Sequence, residues 1–419
     1  MLHKMSPARA LLFGILLYSM IYAFFPVVGN YPPSTGAMLY VVVTALLLFA
    51  GAILGGAIRS SNSRNANQAV FNFKIYLRVT QIAAVGVVFK VIDKFMIRGA
   101  SLSAGIENRE ILEDAGGSNI FSLIGGVLYP LCYVSLFVLL SSWGQDKTDK
   151  KKYYMVSLLL FSYPTLDCLL IGSRSLMIVN FTMLLLYGFY FKFIRINIKT
   201  LLMLPVVLCA VGLLSGYIFL NRLEYMGLDY LYSALNSVYA FTVEPDDWVL
   251  GKIFNSDDFS FLIYYSLLNT GQYFTHGLFE FFYLYDHFSA EYTYGVYNFS
   301  AYYKFVAVIT DDYTMMDAVA SAQPRIGTFT SFLGPVFVDF GWVGPIYMFF
   351  FGFAAGRIWS KCMSGEVMWV PLYFYFVLML VFVPVVNFFV SAQGLYTITA
   401  FLLFVLITKS IDRRVSHGK

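Results

Sequence analysis

The chain has 419 residues, of which 59% are hydrophobic and only 12% charged, with a mean hydropathy of +0.70. Soluble domains average about a quarter charged residues, so lipid is the main solvent for this chain and a soluble enzyme is excluded. A net charge of +4 is too small to mark a nucleic-acid partner.

In chain order, Lys4 and Arg9 precede an apolar run that reaches about Val28. That run outlasts the roughly 7–15 residues of a signal-peptide core, so it reads as a first, retained helix. Further apolar segments follow near 36–58, 77–97, 120–142, 153–172, 175–191, 201–220, 334–356, 367–390 and 394–408. Segments of about 20 apolar residues match the thickness of a bilayer. The expected fold is therefore an all-α polytopic membrane protein with about ten transmembrane helices and a large structured periplasmic loop containing short interfacial helices. Its expected divisions are an N-terminal bundle over 1–220 (about seven helices), the loop over 221–330, and about three C-terminal helices over 331–419.

Orientation follows from Lys and Arg in the short loops. With the N-terminus inside, Arg59, Arg64, Lys74, Arg78, Lys147, Lys150, Lys151, Lys152, Lys192, Arg195, Lys199, Arg357, Lys361, Lys409, Arg413 and Arg414 all fall on the cytoplasmic side. About 19 of the 28 basic residues lie inside and about 7 outside in this arrangement. Both termini are then cytoplasmic.

Two sizeable segments remain outside. One spans Arg98–Ser118 and carries Arg109 with Glu107, Glu110, Glu113 and Asp114. The other, about 110 residues from Asn221 to Thr330, is far longer than a simple connection and is rich in Tyr and Phe. Such rings suit a membrane-interface belt, and equally a surface for stacking sugars. Within it, Tyr273–Phe288 reads as a helix against the membrane. At 100° per residue His276, Glu280, Tyr283 and His287 share one stripe, with Phe274, Leu278, Phe281, Tyr285 and Phe288 opposite. The stripe is either a solvated face or a site in which His276 and Glu280 act as general base and orienting carboxylate.

The external arginines Arg98, Arg109, Arg174, Arg222 and Arg325 each lie at or near a predicted helix end. Their planar forks suit phosphate, and the competing reading is an anchor at the lipid headgroups. Lys90, Asp93, Lys94 and Asp167 lie at membrane depth, where ionisable groups mark a site or a structural ion pair. Asp246–Asp247, Asp257–Asp258 and Asp311–Asp312 are doublets that serve turns more often than cations. Cys132, Cys168, Cys209 and Cys362 read as small apolar side chains, without disulfides or a metal site. No nucleotide-binding glycine motif or zinc-helix motif is present, so no cofactor is expected.

Several short segments, in their joint order, resemble the O-antigen polymerases, the oligosaccharide repeat-unit polymerases. They are Ile92-Asp93-Lys94-Phe95-Met96-Ile97-Arg98-Gly99 running on to Glu107-Asn108-Arg109-Glu110, the Gly172-Ser173-Arg174 turn, Thr275-His276-Gly277 to Glu280, and Asp339-Phe340-Gly341-Trp342-Val343-Gly344-Pro345. The resemblance implies a metal-independent glycosyltransferase at the periplasmic face that uses no nucleotide sugar. Its donor and acceptor would both be oligosaccharides on undecaprenyl pyrophosphate, and a chain-length regulator and a flippase would be its partners. The five arginines would supply a pyrophosphate clamp, His276 or Glu280 would take the acceptor proton, and Asp93, Asp167, Tyr283, His287 and Asp339 would support them. An O-antigen ligase shares this layout and is the main alternative. A flippase of lipid-linked oligosaccharide fits less well, because intramembrane charge is confined to a few positions. A polyprenyl-phosphate-sugar transferase places carboxylates in its first external loop, and Gly29–Thr35 has none.

Overall fold

A computed structural model describes residues 2–58, 73–101, 107–108, 111–112, 119–141, 151–171, 175–195, 197, 212–213, 216–217, 220, 223–224, 227, 229–255, 258–325, 327–390 and 392–417. The chain runs α1 (Pro7–Phe24), β1 (Val27–Gly29), α2 (Thr35–Ala57), α3 (Phe73–Val91, continued as a π-helix over Ile92–Ile97), α4 (Ile120–Leu128), α5 (Leu131–Ser141), α6 (Lys151–Ile171) and α7 (Ser175–Tyr190). It continues through α8 (Tyr230–Leu235), β2 (Val243–Pro245), α9 (Asp247–Phe254), α10 (Asp258–His287), α11 (Ser300–Thr310), α12 (Thr314–Ser321), α13 (Leu333–Phe340), α14 (Gly344–Met363), α15 (Val370–Val381) and α16 (Ala392–His417).

Among the described residues six helical spans are long and apolar enough to cross a membrane: Pro7–Phe24, Thr35–Ala57, Phe73–Ile97, Ile120–Ser141, Leu333–Met363 and Gly394–Ile411. Leu176–Tyr190 and Val367–Val381 are shorter apolar helices. Their outer faces are bare hydrocarbon: Leu16 is 61% exposed, Leu46 63%, Phe350 62% and Leu406 61%. A surface this apolar is stable only against lipid. The predicted segment at 201–220 falls almost wholly outside the described residues.

Several predicted spans are broken, each for a local reason. Pro130 lacks an N–H and separates α4 from α5. Gly341, at φ +50°, turns the chain between α13 and α14 through a short 3-10 stretch. The predicted segment 367–390 is helical only to Val381, and Phe382–Phe389 then runs as irregular backbone around Pro384. That backbone is buried in protein, with Val385, Asn387 and Phe388 all enclosed, as an interrupted span requires.

The segments on either side of the 229–330 lobe form one bundle. Helices α2 and α14 run parallel, with Gly51 against Phe349, Gly55 against Phe353, Gly352 against Leu48 and Gly356 against Ala52. Glycines four apart on both helices let the backbones touch, the geometry that drives helix association in lipid. Helix α1 likewise runs parallel to α15, with Gly14 against Val381 and the Tyr373 hydroxyl donating to the Met5 carbonyl.

These pairings give the bundle two distinct ends. At one, Arg357 and Ser360 donate to the Ile58 carbonyl, Trp359 donates to the Leu2 carbonyl, and Lys361 and Lys409 lie over the Trp369 ring at 3.9 and 5.5 Å. At the other, β1 pairs antiparallel with β2, Val28 opposite Glu244. Asn30 Nδ2 donates to Glu244 Oε1 at 2.6 Å, and Tyr31 donates to Asp286 at 3.0 Å. The first loop and the long 229–330 lobe therefore share one end, away from the basic cluster.

Candidate functional site

Helix α10 passes over the C-terminal end of α1 and the N-terminal end of α2. Tyr18 donates to the Thr275 carbonyl at 3.0 Å, and the rings of Tyr40 and Phe281 are 5.5 Å apart. A Cβ on Gly277 would sit 2.2 Å from the Val385 carbonyl oxygen, so this helix is pressed onto the irregular 382–389 backbone. The helix predicted over 273–288 is the second half of a 30-residue helix.

The polar stripe divides. His276 is 0% exposed and Glu280 1% exposed, so the reading of a wholly solvated face fails for this half of the stripe; His287, at the end of the helix, is exposed. Around Glu280 three groups from outside α10 converge. Thr242 donates to Oε1 at 2.8 Å, Thr328 donates to Oε2 at 3.4 Å, and Arg325 Nε lies 3.3 Å from Oε2. Thr242 is brought there because its own carbonyl accepts from Asn30 N–H, while Gln272 Nε2 donates to the next carbonyl, Val243. Gly327, at φ +87°, bends the chain that carries Arg325 and Thr328. Burial pushes the Glu280 carboxyl up, against the downward pull of Thr242, Arg325 and Thr328.

Arg325 is held on three sides. Its guanidinium carbon is 3.8 Å from the Phe241 ring centre, Nη2 donates to the Val238 carbonyl at 2.6 Å, and Glu280 balances its charge. Tyr283 is 5.9 Å away, packs edge-on against Phe241 and stacks on His287 at 4.1 Å. The arginine expected to bind phosphate is thus preorganised by two elements distant in sequence.

His276 Nδ1 lies 2.8 Å from the Gln272 carbonyl oxygen. A carbonyl only accepts, so Nδ1 carries a proton, and in the neutral form of the ring this leaves the lone pair on Nε2, where a general base needs it. The sequence reading gave Glu280 the task of orienting His276; Gln272 orients the ring, and Glu280 holds Arg325. The Tyr239 ring packs on the imidazole at 4.2 Å, tilted by 35°, with Phe329 5.9 Å away.

The other predicted residues form a cluster on α3, α4 and α6. Arg98 Nε lies 3.1 Å from Asp93 Oδ1, which also accepts from Asn119 Nδ2, and Lys94 pairs with Asp167. Asp93, Lys94 and Asp167 are all buried. Asp339, on α13, is enclosed and accepts from the Thr293 hydroxyl, the Tyr297 and Asn298 N–H groups and Asn298 Nδ2, so it pins the 293–298 turn. Arg109, Arg174 and Arg222 lie outside the described residues. Asp246 accepts from Trp248 N–H and Asp312 from Thr314, as turn carboxylates do.

Sequence reasoning missed Thr242, Thr328, Phe241, Tyr239 and Gln272. Gln272 was legible, since it precedes His276 by four positions on the same stripe. The others come from loops whose approach no periodicity encodes. Compared with known families, curated proteins and solved structures, the chain matches none.

Proposed function

We propose that this protein is a glycosyltransferase that polymerises undecaprenyl-pyrophosphate-linked oligosaccharide repeat units into O-antigen or a related surface polysaccharide. The observation that carries the reading is that His276, its Nδ1 held by the Gln272 carbonyl, lies one turn of α10 from Glu280, which holds a preorganised Arg325, at one end of an apolar bundle. That end is where the headgroup of a lipid-anchored donor emerges from the bilayer. The basic cluster at the opposite end supports a cytoplasmic location for Arg357, Lys361 and both termini, and so a periplasmic location for the lobe.

In the proposed reaction an acceptor sugar hydroxyl attacks the anomeric carbon of the donor chain. Its proton passes to His276 Nε2, the bond from the anomeric carbon to the pyrophosphate oxygen breaks, and undecaprenyl pyrophosphate leaves with the bonding electrons. Arg325 faces the charge that develops on that leaving group, where a fixed cation acts most strongly. Glu280 keeps the guanidinium in place. Arg98 and the other external arginines complete the pool from which the clamp is drawn.

The test is a gel of surface polysaccharide from cells with the gene deleted, restored, or restored as His276→Gln. Deletion is expected to leave single repeat units on lipid A-core, and His276→Gln to slow polymerisation by about 10²–10⁴-fold. A normal polymer ladder in the deletion strain rejects the proposal. Full-length polymer that stays on its lipid carrier assigns ligase activity instead.

A further inference from the structure

At the end of the bundle opposite the lobe, two ammonium groups from different helices meet one indole. Helix α14 stops at Met363, and Gly365, at φ +92°, reverses the chain while the Glu366 N–H donates back to the Lys361 carbonyl at 3.1 Å. That left-handed turn brings the 3-10 stretch Val367–Trp369 against the end of α14. Trp369 is buried, and its Nε1 donates to Glu366 Oε2 at 3.1 Å. Lys361 Nζ, from α14, lies 3.9 Å from the ring centre, and Lys409 Nζ, from α16, lies 5.5 Å from it. Arg357 stands one turn before Lys361 on α14.

Lysines at a membrane surface ordinarily reach the headgroups singly. Here two converge, and the attraction of each for the ring is opposed by their mutual repulsion. Among the described residues Arg357, Lys361 and Lys409 stand against one carboxylate, Glu366, so the group keeps a net positive charge. The surface beside it is hydrocarbon. Leu402 and Leu406 form an exposed stripe on α16 that ends three residues before Lys409, and Met363, two residues after Lys361, is exposed as well. Cations at the top of a bare apolar stripe match a molecule with an anionic head and an acyl tail. A free phosphate would use only the first half of that surface, and a zwitterionic head would bring a cation of its own.

We infer that Lys361 and Lys409 bind the phosphate headgroup of an anionic phospholipid whose acyl chains lie along Leu402 and Leu406. The bound head offsets the repulsion between the two ammoniums and ties α14 to α16 at this end of the bundle. Nothing in this inference depends on the reaction proposed at the opposite end.

The experiment uses the full chain in phosphatidylcholine nanodiscs into which phosphatidylglycerol is titrated. Thermal unfolding follows the response, and native mass spectrometry of the released protein counts the lipids retained. Wild-type protein is expected to retain phosphatidylglycerol at least tenfold over phosphatidylcholine and to gain in Tm as it is added. Lys361→Gln combined with Lys409→Gln is expected to abolish that preference, whereas Lys304→Gln, at an exposed lysine of α11 in the lobe, is expected to keep it. Where the double variant does not fold, Lys409→Gln alone is expected to lower the preference at least threefold. Equal retention of the two lipids by wild type, or an unchanged preference in the Lys409 variants, overturns the site. Soluble glycerol phosphate is expected to leave Tm unchanged; a rise equal to that given by phosphatidylglycerol overturns the lipid assignment in favour of a free anion.

Discussion

Arg325 Nε lies 3.3 Å from Glu280 Oε2, and the carboxylate it meets is almost wholly enclosed. The pair joins a loop preceding α13 to the C-terminal half of α10, so it is at once a structural tie and a way of aiming a cation. Lysine cannot reproduce the planar contact with Phe241 or the fork that also reaches Val238. Arg325→Lys is therefore expected to lose polymer as completely as Arg325→Ala while keeping the same charge, read from the polysaccharide ladder. Full restoration by lysine would mean that charge alone is used.

Removing the carboxylate leaves a cation and two hydroxyls without their acceptor. Glu280→Ala is expected to lower stability by about 3 kcal/mol, at the low end for a broken buried pair because Arg325 retains some exposure. Thermal unfolding in detergent gives the comparison, and a loss under about 1 kcal/mol would contradict it.

The same carboxylate sets a pH dependence. Burial raises its folded-state pKa above the ordinary 4.5, so the folded protein binds this proton more readily than the unfolded chain. The stability it contributes is complete below the unfolded value and is lost as pH rises through the raised folded value. The wild-type Tm minus that of Glu280→Gln is expected to fall as pH rises above 4.5. A difference that grows instead would reverse the assigned sign.

Lys94 and Asp167 are a buried pair on α3 and α6. Lys94→Met alone leaves an uncompensated carboxylate and is expected to cost about 3–5 kcal/mol, whereas Lys94→Met with Asp167→Leu recovers most of it. Retained polymerisation in the double variant would confine the pair to a structural role; its loss with stability restored would place the pair in the site.

The contact of α2 with α14 has no room for a side chain. A Cβ at Gly55 would lie 2.1 Å from the Phe353 carbonyl oxygen, so Gly55→Ala is expected to cost about 1–3 kcal/mol. Gly251 in α9 has open space around it, and Gly251→Ala is expected to be neutral or to stabilise by up to about 1 kcal/mol. Equal Tm values for the two variants would deny the close approach.

What could be read without coordinates was whatever depends on solvent and periodicity. Long apolar runs need lipid, Lys and Arg avoid translocation, and a repeat of 3.6 residues places His276, Glu280 and Tyr283 on one stripe. Those rules act within a segment and leave its partners undetermined. Only the folded chain decided that Thr242 and Arg325 meet Glu280, that Gln272 rather than Glu280 orients His276, and that the backbone after Val381 abandons the helix. Each of those outcomes depends on which loops the parallel packing of α1 with α15 and α2 with α14 brings to a common end. Burial there is sustained by hydrogen bonds between residues far apart in the chain, and no local pattern records such partners.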